Sequence, residues 1–199
     1  MDQTKTKPGF VSRVGGLLLA GALAAGAAAP AAADDVFLRL DGVQGESLDA
    51  RHKGEIDILS YTQSFTGAFA RSAAGAGAGA GKTICGPVTV MKFVDVSSPN
   101  LILDVANGRH IPRAVITFRR PGGPTQPEYY KVTLEDVIIT EIEQTESKIN
   151  AQNPAAARAM EKLSLIGRRF SFEYVLQMPD GRPGATPKAG WDCVANVLR

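Results

Sequence analysis

The chain has 199 residues, 44 % of them hydrophobic and 21 % charged, proportions that exclude an intrinsically disordered polymer and a multi-span membrane protein. The length suits one domain with its own core. The formal net charge of +2 is unevenly distributed, and the imbalance lies near the N-terminus.

Lys5, Lys7 and Arg13 precede an uncharged run from Val14 to Ala33 in which Leu17, Leu18, Leu19 and Leu23 are set among Ala and Gly. Pro30-Ala31-Ala32-Ala33 then offers an A-x-A type cleavage site ahead of Asp34-Asp35. This three-part pattern is that of a cleavable secretory signal over residues 1–33. The run is short for a membrane span and poor in large apolar residues, so an uncleaved anchor fits it less well, and no stable membrane insertion is expected after cleavage. Cleavage removes Lys5, Lys7, Arg13 and Asp2, leaving 19 basic and 19 acidic residues over 34–199. A neutral domain without a basic stripe lacks the phosphate-neutralising footprint of a nucleic-acid binder. The expected location is periplasmic or secreted; a translation start downstream of the segment would leave the protein cytoplasmic.

From Asp35 onward the pattern is of short alternating segments. Val36, Leu38 and Leu40 share one strand face, with Arg39 on the other, and Asp41-Gly42 supplies a turn. Strands follow at Glu55 to Ile58, Val88 to Val94, Ala114 to Arg119, Tyr130 to Glu135 and Val137 to Ile142. Phe170-Ser171-Phe172-Glu173-Tyr174 alternates most cleanly, with one aromatic and one polar face. Several short strands separated by turn signals, without a βαβ rhythm, predict a mainly β fold: a small antiparallel barrel or sandwich.

Two helices are predicted among the strands. Ser97-Ser98-Pro99-Asn100 offers an N-cap hydroxyl and a first-turn proline, Leu101, Ile102 and Val105 give a helical face, and Asn107-Gly108 supplies the stop. A second, Ala-rich insertion is expected from Pro154 to Lys162. The Gly/Ala tract at residues 72–82 reads as a flexible loop, having no side chains to anchor it. Gly81-Lys82-Thr83 has the ending of a phosphate-binding loop, but the first glycine of that motif falls on Ala76, and Thr83-Ile84 leads toward a strand where a helix is needed.

Nothing in the sequence assembles a catalytic centre. A His-based metal site would need both histidines, His52 and His110, and carboxylates brought together by the fold, a cluster that the sequence spacing does not supply, and no G-x-S-x-G elbow is present. The acidic pairs Asp34-Asp35 and Glu135-Asp136 read as solvated strand-end charges. No enzyme activity and no cofactor are therefore expected. Cys85 and Cys193 both lie beyond the cleavage point, so an oxidising compartment permits a bridge between them; two separately buried thiols are the alternative.

The order of segments carries a resemblance that spans almost all of 34–199. Asp35 to Ser47 resembles the opening strand and turn of the Hcp (haemolysin-coregulated) proteins of type VI secretion, and His52 to Tyr61 resembles their second strand. A Gly-rich loop at Gly75 to Gly81, Lys92-Phe93-Val94-Asp95, Ser98-Pro99-Asn100-Leu101 and Asn107-Gly108-Arg109-His110 follow in family order. Pro112-Arg113-Ala114, Tyr129 to Ile139, Phe170 to Tyr174 and Gly190-Trp191-Asp192 complete the series. The resemblance implies a β-barrel with one helix that packs into a homo-hexameric ring. It also implies rings that stack into a tube or carry effectors, with self, secretion-system components and effectors as partners. Lys131 and Glu173, on polar strand positions, are the candidate interface residues. A monomeric exported envelope-binding module, using Tyr129, Tyr130 and Trp191 as contact aromatics, is the alternative of a different class.

Overall fold

The computed structural model describes residues 34–67, 69–70, 79–121, 126–146 and 158–199. The expected signal segment 1–33 lies outside the described residues. In chain order the elements are β1 (Asp35–Leu40), β2 (Ile56–Ile58), β3 (Ser60–Thr62), β4 (Phe65–Thr66), β5 (Phe69–Ala70), β6 (Gly79–Ala80), β7 (Ile84–Cys85) and β8 (Val88–Phe93). Then come α1 (Ser98–Asn107), β9 (His110–Arg119), β10 (Glu128–Glu146), β11 (Ala159–Tyr174), β12 (Lys188–Asp192) and β13 (Val197–Leu198). The fold is mainly β with one short helix.

A nine-stranded sheet organises the domain. Its path runs β13-β12-β11-β10-β9-β1-β2, while β8 pairs with the first half of β11 and with β3. Every pairing among these strands is antiparallel. The predicted segments 130–135 and 137–142 are one long strand, β10, interrupted at Asp136, whose φ is 53°. The alternation read from the sequence is the alternation that packs. Leu38, Leu40, Ala114, Ile116, Val132, Leu134, Leu163, Leu165 and Phe170 are buried in a single core, each large apolar side chain contributing about 1.5–3 kcal/mol. At Gly42 (φ 82°) the chain turns back so that the Val43 N–H donates to Leu40 O, as the Asp41-Gly42 signal predicts.

Two helical expectations are corrected. Residues 147–157 lie outside the described residues, but Ala159 to Lys162, expected to be helical, begin β11. The Ala-rich composition favours a helix only weakly, and pairing on both edges, with β8 and β10, outweighs it. Helix α1 forms where predicted, ending at Gly108 with φ 59° and its N–H on Val105 O. Its expected hydroxyl cap is absent: Ser97 Oγ donates to Asp95 Oδ1 instead, leaving the helix start without a side-chain cap.

The Gly/Ala segment 72–82 lies largely outside the described residues. Its last part does not continue as loop, since Gly79–Ala80 pairs with Phe69–Ala70, and nearer the body Ile84–Cys85 pairs with Phe65–Thr66. Thr83-Ile84 thus enters a strand, which removes the helix that a phosphate loop requires.

Beneath α1 the core changes character. Val88, Val90 and Lys92 point to one side of β8 and stand opposite Leu165, Leu163 and Glu161 of β11. Lys92 and Glu161 are both fully buried. Lys92 Nζ donates to Glu161 Oε1 (2.5 Å), Phe93 O (2.8 Å), Asp95 Oδ1 (2.9 Å) and Ser98 Oγ (3.2 Å). Glu161 also accepts from Ser98 Oγ (2.8 Å) and Gln144 Nε2 (3.0 Å). All charge here is paired and hydrogen-bonded, as a water-free position requires.

Candidate functional site

The second face of the long-strand sheet is polar, and the registers arrange it as a grid. One row runs Phe37, Thr117, Lys131, Glu173 and Lys188 across β1, β9, β10, β11 and β12. The next runs Arg39, Val115, Thr133, Ser171 and Gly190. A third runs Arg113, Glu135, Arg169 and Asp192. The middle row is short or neutral from Val115 to Gly190, and the rows beside it are charged from β10 to β12, so a shallow trough crosses the four strands β9 to β12 for roughly 14 Å at the usual strand spacing. It widens into two clefts that share Lys131 and Thr133. One, of about 350 Å³, lies toward β12 beside Glu173, Lys188 and Arg199; the other, of about 380 Å³, lies toward β1 beside Arg39, His52 and Arg113.

The predicted interface residues Lys131 and Glu173 stand directly opposite each other in this grid, but each has another ionic partner. Glu173 Oε2 is 2.6 Å from Lys188 Nζ, and Lys131 Nζ is 3.5 Å from Glu128 Oε2. In the third row Glu135 Oε2 lies 3.4 Å from Arg169 Nη1 and 3.0 Å from Arg199 Nη1, while Arg169 Nε donates to Asp192 Oδ2 (3.1 Å). The N–H of Ala195 holds the Asp192 carboxyl below the usual carboxylate range, against the opposing effect of burial, with Arg169 and the Val194 N–H adding to it.

At the β1 edge Arg119 is buried and donates to Asp35 Oδ2 (2.8 Å) and Asp49 Oδ2 (2.6 Å). Burial pushes the Asp49 carboxyl upward, but the Arg119 hydrogen bond and the N–H groups of Arg51 and His52 outweigh it and hold the group low. The Arg119 guanidinium lies 4.9 Å from the Phe37 ring centre, and Phe37 stacks on His52 with centroids 4.1 Å apart.

The aromatics of the binding-module alternative are dispersed. Tyr130 packs against the core next to Phe118, and Trp191 stands opposite Phe170. Tyr129 donates to Asp34 Oδ2 (2.5 Å), and burial, followed by that contact, pushes its hydroxyl up to about 12. His110 pairs with Asp136 (2.8 Å) at an exposed strand end, and no hydroxyl or thiol hydrogen-bonds to it among the described residues. Among the described residues no group of three or more His, Cys, Asp and Glu is placed to hold a metal ion. No helix of the described residues is long and apolar enough to cross a membrane.

Cys85 ends β7 and Cys193 follows β12, with their sulfurs in disulfide contact and Cα atoms 6.1 Å apart. The same junction is held by the Thr83 N–H donating to Asn196 Oδ1 (2.8 Å) and by Phe65 packing edge-on against Phe170 and Phe172. The β4–β7 hairpin is therefore joined at its base to the C-terminal hairpin. Sequence reasoning left the cysteine pair open and missed Asn196, since no local pattern reports a partner 113 residues away.

Comparison with known proteins decides the family. The family model described as "Type VI secretion system effector, Hcp" matches residues 37–174, from within β1 to the end of β11. The chain belongs to the Hcp family. Protein hcp1 of Pseudomonas aeruginosa is 32 % identical over 164 residues, covering 82 % of this chain and 97 % of that one. The crystal structure of Hcp1 from Salmonella typhimurium is 30 % identical, covers 84 % of this chain and all of that one, and superimposes with a TM-score of 0.67. A structure titled as a type six secretion system protein has a TM-score of 0.75 at 21 % identity, over 84 % of this chain and all of that one, and shows the fold. As an Hcp-family member the chain is a structural, tube-forming protein of type VI secretion.

Proposed function

We propose that this Hcp-family chain acts by assembly and not by catalysis, as the subunit of a closed ring of six copies that stack into a tube or carry an effector. The observation that carries the reading is the family match across the sheet and helix from 37 to 174. Barrel closure is supported by the pairing around Leu59. It alone separates β2, paired with β1, from β3, paired with β8, and its N–H donates to Met91 O (2.7 Å). A sheet closed in this way leaves few free edges, so association falls to the faces and hairpins. Exposed apolar residues support that role. Ile102 and Leu103 lie uncovered on α1, and Val194, Val197 and Leu198 lie uncovered in the C-terminal hairpin. Lys131 and Glu173 are the proposed polar contacts. A contact between different patches on successive copies closes into a ring without forming fibres only if the rotation completes a circle.

Light scattering on the purified mature protein tests the ring. Six times the single-chain mass, with annular particles in electron micrographs, is the expected result; a single-chain mass without annuli would transfer the protein to the binding-module reading. Export by the signal over 1–33 is a further part of the proposal. Protein recovered from its host should begin at or near Asp34 and show no free thiol when unfolded without reductant. Recovery only of a cytoplasmic form retaining Leu17 to Leu23 would overturn it.

A further inference from the structure

The cleft at the β1 end of the polar face has a charge inventory that its own residues do not balance. Glu55, Glu128 and Glu135 are all engaged: Glu55 with His52, Glu128 with Lys131 and with Arg51, which also lines the cleft, and Glu135 with Arg169 and Arg199. Arg39 and Arg113 also line the cleft, are exposed, and have no carboxylate partner among the described residues. They project from adjacent strands on the same face: Arg39 stands opposite Val115, two residues along β9 from Arg113. Two unpaired guanidinium forks at such diagonal positions are within reach of a common anion.

His52 supplies an independent observation. Its side chain is only 6 % exposed and lines the same cleft. Nδ1 lies 2.9 Å from Glu55 Oε2, so in the neutral imidazole the proton sits on Nδ1 and Nε2 is a bare acceptor. Nε2 is buried without any hydrogen bond; Glu128 Oε1, 3.5 Å away, is also an acceptor. A buried acceptor without a donor carries a desolvation penalty that a ligand N–H or O–H would relieve.

The geometry points to a carboxylate-binding cleft at Arg39, Arg113 and His52, taking a monoanion that carries an N–H or O–H donor next to its carboxylate. The two arginines hold the carboxylate, and the adjacent donor satisfies His52 Nε2. Arg39, Arg51, Arg113 and Lys131 set against Glu55, Glu128 and Glu135 leave one positive charge in the lining, which suits a monoanion. Either of two sources presents this chemistry: a free hydroxy acid, or an acidic residue of an adjoining copy with its own backbone N–H. The second source rests on the ring reading; the cleft itself does not.

The test uses the full mature chain and three probes at constant ionic strength: lactate, propionate, which lacks the hydroxyl, and lactamide, which lacks the charge. Binding is read by titration calorimetry and by a saturable rise in melting temperature, with the mass of each sample measured alongside. Lactate should bind at least about fivefold more tightly than propionate, with no binding of lactamide. Arg39→Gln/Arg113→Gln should lose about tenfold or more in lactate affinity, the scale of one charge-assisted contact. Arg39→Lys/Arg113→Lys, which keeps the charge but not the fork, should fall between and guards against misfolding of the Gln variant. Lactate binding to the intact ring assigns a free acid. Binding only to dissociated chains, with lactate promoting dissociation, assigns an acidic residue of the adjoining copy. Equal affinity for all three probes, absence of binding in every state, or unchanged binding in Arg39→Gln/Arg113→Gln would overturn the cleft. Arginine-dependent lactate binding by a wild-type protein of single-chain mass would keep the cleft and sink the ring.

Discussion

Lys92 and Glu161 face each other across β8 and β11, and Lys131 and Glu173 face each other across β10 and β11, yet the two pairs do different work. The first is fully buried at the end of an apolar row and shares its hydrogen bonds with Asp95, Ser98 and Gln144, tying α1 to the sheet. The second is partly exposed, and its members divide their attention between Lys188 and Glu128. Identical chemistry in opposite cross-strand positions is thus locked into the fold where water is excluded and left on the surface where water remains. Burial, not residue type, sets the role.

Removing one member of each pair separates the two roles. Lys92→Met should destabilise the fold by about 3–5 kcal/mol in denaturant unfolding, because it strands a buried carboxylate. Adding Glu161→Leu should return most of that loss, and a double variant no better than the single one would mean that packing, not charge, dominates there.

An intermediate effect is expected at Arg119, buried like Lys92 but holding two partly accessible aspartates. Arg119→Gln should cost about 1.5–3 kcal/mol, the range for hydrogen bonds to charged groups. A loss below about 0.5 kcal/mol would place this network with the exposed pair.

Acid should act on the same side of the comparison. The Asp49 and Asp192 carboxyls are both held below their ordinary value in the fold. Their contribution is fully present above the unfolded value near pH 4 and is lost as pH falls through the lower native values. Melting temperature should therefore fall as the pH drops below about 4, and Asp49→Asn should reduce that dependence.

The smallest stability change is expected on the exposed face. Lys131→Glu or Glu173→Lys should alter unfolding free energy by no more than about 1 kcal/mol, while weakening self-association seen by sedimentation, since like charges across an interface cost several kcal/mol. Unchanged sedimentation would remove these residues from the contact.

The sequence reveals the apolar half of this arrangement and conceals the ionic half. Val36, Leu38 and Leu40 repeat with a period of two, as do Phe170 and Phe172, so each shared face can be read locally, and Pro99 with Gly108 brackets α1. The partnership of Lys92 with Glu161 spans 69 residues and exists only once β8 and β11 are in register. The Ala-rich composition leading up to Lys162 points locally toward a helix, which pairing with β8 and β10 overrides at Ala159 to Lys162. The polar grid is hidden for the same reason: Arg39, Arg113 and His52 lie in three separate segments, and nothing in any one of them reports the others.

The burial of Lys92 also makes it a clock. Amine-reactive reagents should label Lys131 and Lys188 in the folded protein, whereas Lys92, with no exposed surface, reacts only when β8 separates from β11. The rate at which this one amine becomes modified would then report how often the domain opens under native conditions.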